Sequence, residues 1–129
     1  MPRRITLVED DVDAAVVLQR ILVKAGYNVQ VLQEGSAIVE AGFDLPDMFI
    51  LDNYMPTIHG LALCKFLKLK SHTANIPVII ISGEIQVGEK AEAAGASCFL
   101  SKPFVADQLL TVVEKAFTHC KDDQTIKGK

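Results

Sequence analysis

The 129-residue chain has no tryptophan, 6% aromatic residues, three cysteines and no surplus of positive charge, its formal net charge being −3. Each shortage excludes something. Cys64, Cys98 and Cys120 are odd in number and widely spaced, without a Cys-x-x-Cys pair or cysteine-histidine ligand spacing. Neither a disulfide framework nor a zinc site is predicted, and the three read as reduced thiols. The acidic balance, with basic clusters only at Arg3-Arg4 and at Lys65, Lys68 and Lys70, offers no footprint for nucleic acid. Direct DNA binding is not expected. Met1-Pro2-Arg3-Arg4 carries positive charge, but Glu9-Asp10-Asp11 interrupts the chain before a signal-peptide apolar core can form. No apolar run approaches membrane-spanning length, so a soluble, cytoplasmic protein without membrane contact is expected. Neither a Walker A pattern nor a Gly-x-Gly-x-x-Gly follows the first apolar run, which removes the usual phosphate cradle of nucleotide and flavin binders.

What is present suits one core. Half of the residues are hydrophobic and 22% are charged, with no low-complexity tract and no repeat. Short apolar runs rich in branched residues recur at Ile5 to Val8, Val29 to Leu32, Met48 to Leu51, Val78 to Ile81 and Cys98 to Leu100. Runs such as Val78-Ile79-Ile80-Ile81 are apolar on both alternating faces, the pattern of a parallel sheet covered on both sides. The second run is the weakest strand. Between the runs, Ala14, Ala15, Leu18, Ile21, Leu22 and Ala25 form a helical stripe closed by Gly26. Ala106, Leu109, Leu110, Val113 and Phe117 form another. Helices over about Ser36 to Ala41, Ile58 to Lys70 and Gln86 to Ala94, the last stopped by Gly95, complete an alternating (βα)₅ chain. Alternation with right-handed crossovers predicts a doubly wound α/β sheet, with ligands at the carboxyl ends of the strands.

The residues that break the apolar pattern fall at those ends: Glu9-Asp10-Asp11, Asp52, Ser82, and Lys102 before Pro103. Carboxylates packed together repel one another unless a cation intervenes, and an oxygen-only ligand set points to Mg²⁺ rather than Ca²⁺. Asp11 suits an N-cap of the first helix better than a ligand. Ser82 alone reads equally as a helix start. His59, His72 and His119 show no ligand spacing and are taken as surface residues without a role.

Four segments, Leu7-Val8-Glu9-Asp10-Asp11, Leu51-Asp52-x-x-Met55-Pro56-x-x-x-Gly60, Ile80-Ile81-Ser82-Gly83 and Lys102-Pro103-Phe104, resemble in order the signatures of the response-regulator receiver family of two-component signalling. The resemblance extends over residues 4 to 120. Any one segment is weak; four in register on a matching alternation are specific. It implies a flavodoxin-like, chemotaxis-regulator-like domain over 1–120, strand order 2-1-3-4-5, followed by a polar and mobile tail over 121–129 that serves as a free end or a linker. It further implies a signalling domain rather than an enzyme. A histidine kinase or histidine phosphotransfer protein donates a phosphoryl group to Asp52, the carboxylate nucleophile. Mg²⁺ is the implied cofactor, held by Asp10, by Glu9 through water, by Asp52 and by the backbone carbonyl of Tyr54. Lys102 is expected to hold the phosphoryl oxygens, and Ser82 to donate to one of them as the switch trigger. Phe99, three residues before Lys102, matches the aromatic that packs inward in the active form, and its Lys102-Pro103 bond is expected to be cis. A phosphorylation-dependent dimer is among the assemblies the resemblance allows; the output partner is not implied.

Two features depart from the family pattern: the segment from Ser82 to Gly95 is short, and Tyr54 stands two residues after the phosphoacceptor. Tyr54 and Glu84 flank the path of an attacking water. Rival classes are a phosphohydrolase of haloacid dehalogenase type, which wants an acid where Tyr54 stands, and a pseudo-receiver that binds partners without phosphorylation, against which the full acidic, hydroxyl and lysine set speaks.

Overall fold

The computed structural model describes residues 2–40, 44–55 and 58–127, with side chains as far as residue 118. Ala41, Pro56, Lys129 and the side chains of His119 and Cys120, all read in the sequence, lie outside that description. Ten elements alternate: β1 (Arg4–Val8), α1 (Val12–Lys24), β2 (Asn28–Leu32), α2 (Ser36–Val39), β3 (Met48–Asp52), α3 (Gly60–Leu69), β4 (Val78–Ser82), α4 (Val87–Ala93), β5 (Cys98–Ser101) and α5 (Ala106–Lys127). The strands form one parallel sheet in the order β2-β1-β3-β4-β5. This is the doubly wound arrangement that the alternation predicts.

Burial explains the unbroken apolar runs. Every residue of β3 and β4 is buried, because helices cover both faces of the central strands. Odd and even positions divide between two cores. Phe49, Leu51, Val78 and Ile80 pack with Leu63 and Leu67 of α3 and Val87 and Ala91 of α4. Met48, Ile50, Ile79 and Ile81 pack on the opposite face with Leu18 and Leu22 of α1 and Leu109 and Val113 of α5. Each large side chain so buried stabilises the fold by about 1.5 to 3 kcal/mol before chain entropy is set against it. Cys64 belongs to the first core, where burial pushes its thiol up to about 11 and keeps it protonated.

β2 is an edge strand, and its exposed Asn28 and Gln30 alternate with half-buried Val29 and Val31. Its weak sequence signal follows from that one-sided burial. Asp11 caps α1, its Oδ1 accepting from Ala14 N at 3.1 Å. Gly26 and Gly95 follow α1 and α4 with φ of 103° and 96°, the left-handed backbone that glycine adopts freely. α5 runs on from the Ala106-to-Phe117 stripe through Lys127, so the polar segment from Lys121 is helical as far as it is described. Lys121-Asp122-Asp123-Gln124-Thr125-Ile126-Lys127 contains no glycine or proline to stop it.

Candidate functional site

The carboxyl ends of β1, β3 and β5 bring four predicted residues together. Glu9 follows β1 and is buried, Asp52 closes β3 and is buried, and Asp10 is exposed at the rim. One carboxylate oxygen from each lies within 4.8 Å of the other two. Lys102, directly after β5, reaches over the cluster: its Nζ donates to Asp52 Oδ2 at 3.2 Å and stands 3.7 Å from Glu9 Oε1. The Lys102-Pro103 bond is cis, and Lys102 N donates to Ser82 O at 2.8 Å.

The backbone shapes the carboxylates. Tyr54 N donates to Asp52 Oδ1 at 3.1 Å, and Asp11 N donates to Glu9 Oε2 at 3.2 Å. Glu9 Oε1 is buried with no hydrogen-bond partner. Burial above all, then hydrogen bonding and charge repulsion with Asp52, push the Glu9 carboxyl up from 4.5 to about 8, against the opposing pull of the Asp11 amide and Lys102. A buried, unpartnered carboxylate oxygen beside two further carboxylates is a donor set for a hard cation. Glu9, Asp10 and Asp52 therefore fit Mg²⁺, which binds a few carboxylates and retains water.

Other predicted residues stand apart from this cluster. Ser82 ends β4 and is buried; its Oγ accepts from Glu84 N at 3.0 Å. Phe99 is half-buried against the core formed with α3 and α4, where a Cβ added to Gly88 would come 3.2 Å from its ring. The Tyr54 side chain is 74% exposed, and Glu84 is exposed as well.

Asn53, next to Asp52, gave no sign in the sequence; it is buried and its Oδ1 accepts from Leu61 N at 3.1 Å. Gly60 lies so close to β3 that a Cβ would come 2.8 Å from Asp52 O and 3.0 Å from Asn53 Cα. Neither contact is with a flexible side chain. Gly60→Ala is therefore expected to destabilise the protein by about 1 to 3 kcal/mol, read as a lower midpoint in urea unfolding; an unchanged midpoint would show that the backbone yields freely.

A parallel five-stranded sheet with a carboxylate nest and a lysine at its carboxyl edge defines a flavodoxin-like α/β protein whose clustered carboxylates could hold a cation. The chain belongs to the response regulator receiver domain family, whose pattern matches residues 5–114. It is 34% identical over 113 residues to response regulator MprA of Mycolicibacterium vanbaalenii, covering 85% of this chain and 48% of that protein. To the DNA-binding transcriptional regulator NtrC of Escherichia coli it is 33% identical, covering 92% of this chain and 25% of that one. The chain thus spans about half, or less, of the length of these relatives. Among solved structures it is similar to the signal receiver domain of a signal transduction histidine kinase from Syntrophus aciditrophicus, at 29% identity and a TM-score of 0.81 over 91% of each chain. Vibrio cholerae chemotaxis protein CheY4, 24% identical with a TM-score of 0.82 over 90% of this chain and 99% of that one, shares the fold. The chain is accordingly a signalling domain of the kind carried by response regulators. Among the described residues, no helix is long and apolar enough to cross a membrane.

Proposed function

We infer that the chain accepts one phosphoryl group on Asp52 in a Mg²⁺-dependent reaction, from a histidine kinase or a histidine phosphotransfer protein, and changes conformation in response. The observation that carries this reading is the buried Asp52 carboxylate, 3.2 Å from the Lys102 ammonium and clustered with the Glu9 and Asp10 carboxylates.

The geometry supports the following roles. Asp52 Oδ1 is held by Tyr54 N and Oδ2 by Lys102; one of these oxygens forms the new bond to phosphorus as the bond from phosphorus to the donor breaks and the donor leaves with its electron pair. Lys102 loses its contact with a free carboxylate and gains the phosphoryl oxygens, a point charge against a spread one. Ser82 Oγ already accepts from Glu84 N, which leaves its own O–H to donate to a phosphoryl oxygen and draw the β4 end inward. Phe99 lies on the next strand, packed toward α4, where that movement changes its surroundings. Mg²⁺ held by Glu9, Asp10, Asp52 and the Tyr54 carbonyl supplies the positive charge that balances the incoming phosphoryl group. The domain covers about 1–120, and the segment beyond it links to an output partner or ends the protein; a phosphorylation-dependent dimer is one form of output, and a cytoplasmic location follows from the kinase donor.

Incubation with acetyl phosphate and Mg²⁺ tests the reading. One added phosphoryl group should appear by mass, and should not appear with chelator. Wild-type protein that binds Mg²⁺ and gains no phosphoryl group would sink it.

Tyr54 bears on how long the adduct lasts. We infer that its ring, two residues after the phosphoacceptor, shields the acyl phosphate from an attacking water. Tyr54→Asn is expected to speed loss of the phosphoryl group severalfold, measured as decay in purified protein after donor removal. An unchanged decay rate counts against the shielding role.

A further inference from the structure

We propose that Asn53 is a positioning residue, which ties the loop carrying the phosphoacceptor to the first turn of α3. It follows Asp52 directly, is 8% exposed, and bonds in three directions. Its N–H donates to Ile81 O of β4 at 2.9 Å. Its carbonyl accepts from Met55 N at 3.1 Å, Gly60 N at 3.3 Å and His59 Nδ1 at 3.1 Å. A carbonyl only accepts, so the His59 Nδ1 in this contact carries a proton. The side-chain Oδ1 accepts from Leu61 N, eight residues further along.

That last bond replaces a missing local one. The N-cap residue of α3, His59, makes no side-chain cap hydrogen bond, so an open N–H of the first turn is met from β3 instead. Gly60 permits the approach, since its Cα sits where a side chain would strike the Asp52 carbonyl. The backbone that bears Asp52 and the Tyr54 carbonyl is thereby held between β4 and α3. Tyr54 N, which fixes Asp52 Oδ1 at 3.1 Å, is the next residue along. Asn53 touches none of the reacting atoms, and it acts through the placement of its two neighbours. Its consequence for chemistry rests on the receiver reading above.

Asn53→Leu keeps the branched outline, with somewhat more volume, and removes the acceptor; Asn53→Asp keeps the size and the acceptor. Three measurements suffice: Mg²⁺ affinity by calorimetry with the metal alone, phosphoryl uptake from acetyl phosphate, and hydrogen exchange of the Leu61 amide. In Asn53→Leu the Leu61 amide should exchange faster, and the Mg²⁺ dissociation constant should rise roughly fivefold to tenfold, the factor that loss of one cap hydrogen bond represents. Asn53→Asp should restore both, and that rescue decides the matter if Asn53→Leu does not fold. Mg²⁺ affinity in folded Asn53→Leu equal to wild type, or an Asn53→Asp protein as impaired as Asn53→Leu, would overturn the inference alone. Wild-type protein that takes up neither Mg²⁺ nor a phosphoryl group would overturn the receiver reading and this inference with it.

Discussion

Asp52→Asn is expected to abolish phosphoryl uptake while leaving a folded protein. The amide has the shape of the carboxylate, so β3, buried along its whole length, keeps its packing. What disappears is the nucleophile: a neutral amide oxygen does not form an acyl phosphate, and among the described residues Asp52 is the carboxylate of the nest that accepts a hydrogen bond from Lys102. The loss is complete rather than graded, because it removes the acceptor atom and not a contribution to the barrier. A second effect accompanies it. Asp52 raises the Glu9 carboxyl through its hydrogen bond and its charge, so the same substitution lowers the Glu9 pKa toward the ordinary carboxylate range. Mass measurement after acetyl phosphate treatment checks the first effect, and a titration of Glu9 by NMR checks the second. An adduct of wild-type stoichiometry in the mutant would remove Asp52 from its role.

Without metal, the protein is expected to lose stability as pH rises toward 8, and Mg²⁺ is expected to reverse the loss. The Glu9 carboxyl titrates at about 8 in the folded protein against 4.5 as its ordinary value. Between those values the folded state keeps a proton that the unfolded state releases, so unfolding becomes easier as pH increases. The stability linked to that proton is fully present below about 4.5 and is gone once pH passes about 8. Across the window each pH unit weakens folding by up to about 1.4 kcal/mol. Mg²⁺ competes with the proton for the same oxygen, and its binding therefore tightens with pH over the same range. Urea unfolding in chelator and in Mg²⁺, at values spread over about pH 5 to 8.5, measures both slopes. Glu9→Gln should flatten the pH dependence in chelator. A stability that stays level or rises with pH in wild type would show that burial does not hold the proton on Glu9.

These two residues also show what kind of information the chain carries in one dimension. β3 and β4 are legible because burial on both faces demands unbroken apolar residues, and their bounds in the structure differ from the runs Met48 to Leu51 and Val78 to Ile81 by the single polar residues Asp52 and Ser82. Those polar residues stand out against the run, which is why the site could be located at the strand ends. Helix starts are less legible. The stripe from Ile58 predicts an earlier start to α3 than Gly60, because the first turn is capped by Asn53 of another segment and not by its own neighbours. Asp10 and Asp11 are the same residue type side by side; only placement makes one a rim carboxylate of the nest and the other the cap on Ala14 N.

Alternation of apolar runs and amphipathic stripes therefore determined the doubly wound sheet, and the polar residues at the ends of those runs determined which side chains meet. Period and pattern are local properties, set by how each segment buries its own side chains. The tertiary structure alone decided the electrostatic state of the site and the mounting of its loop. A Glu9 oxygen without a hydrogen-bond partner, a Gly60 pressed against the Asp52 carbonyl and an Asn53 side chain turned to α3 are contacts between distant segments. The signature spacing marks Gly60 but not its contact, since each of these depends on how closely a strand and a helix pack once the two cores have formed.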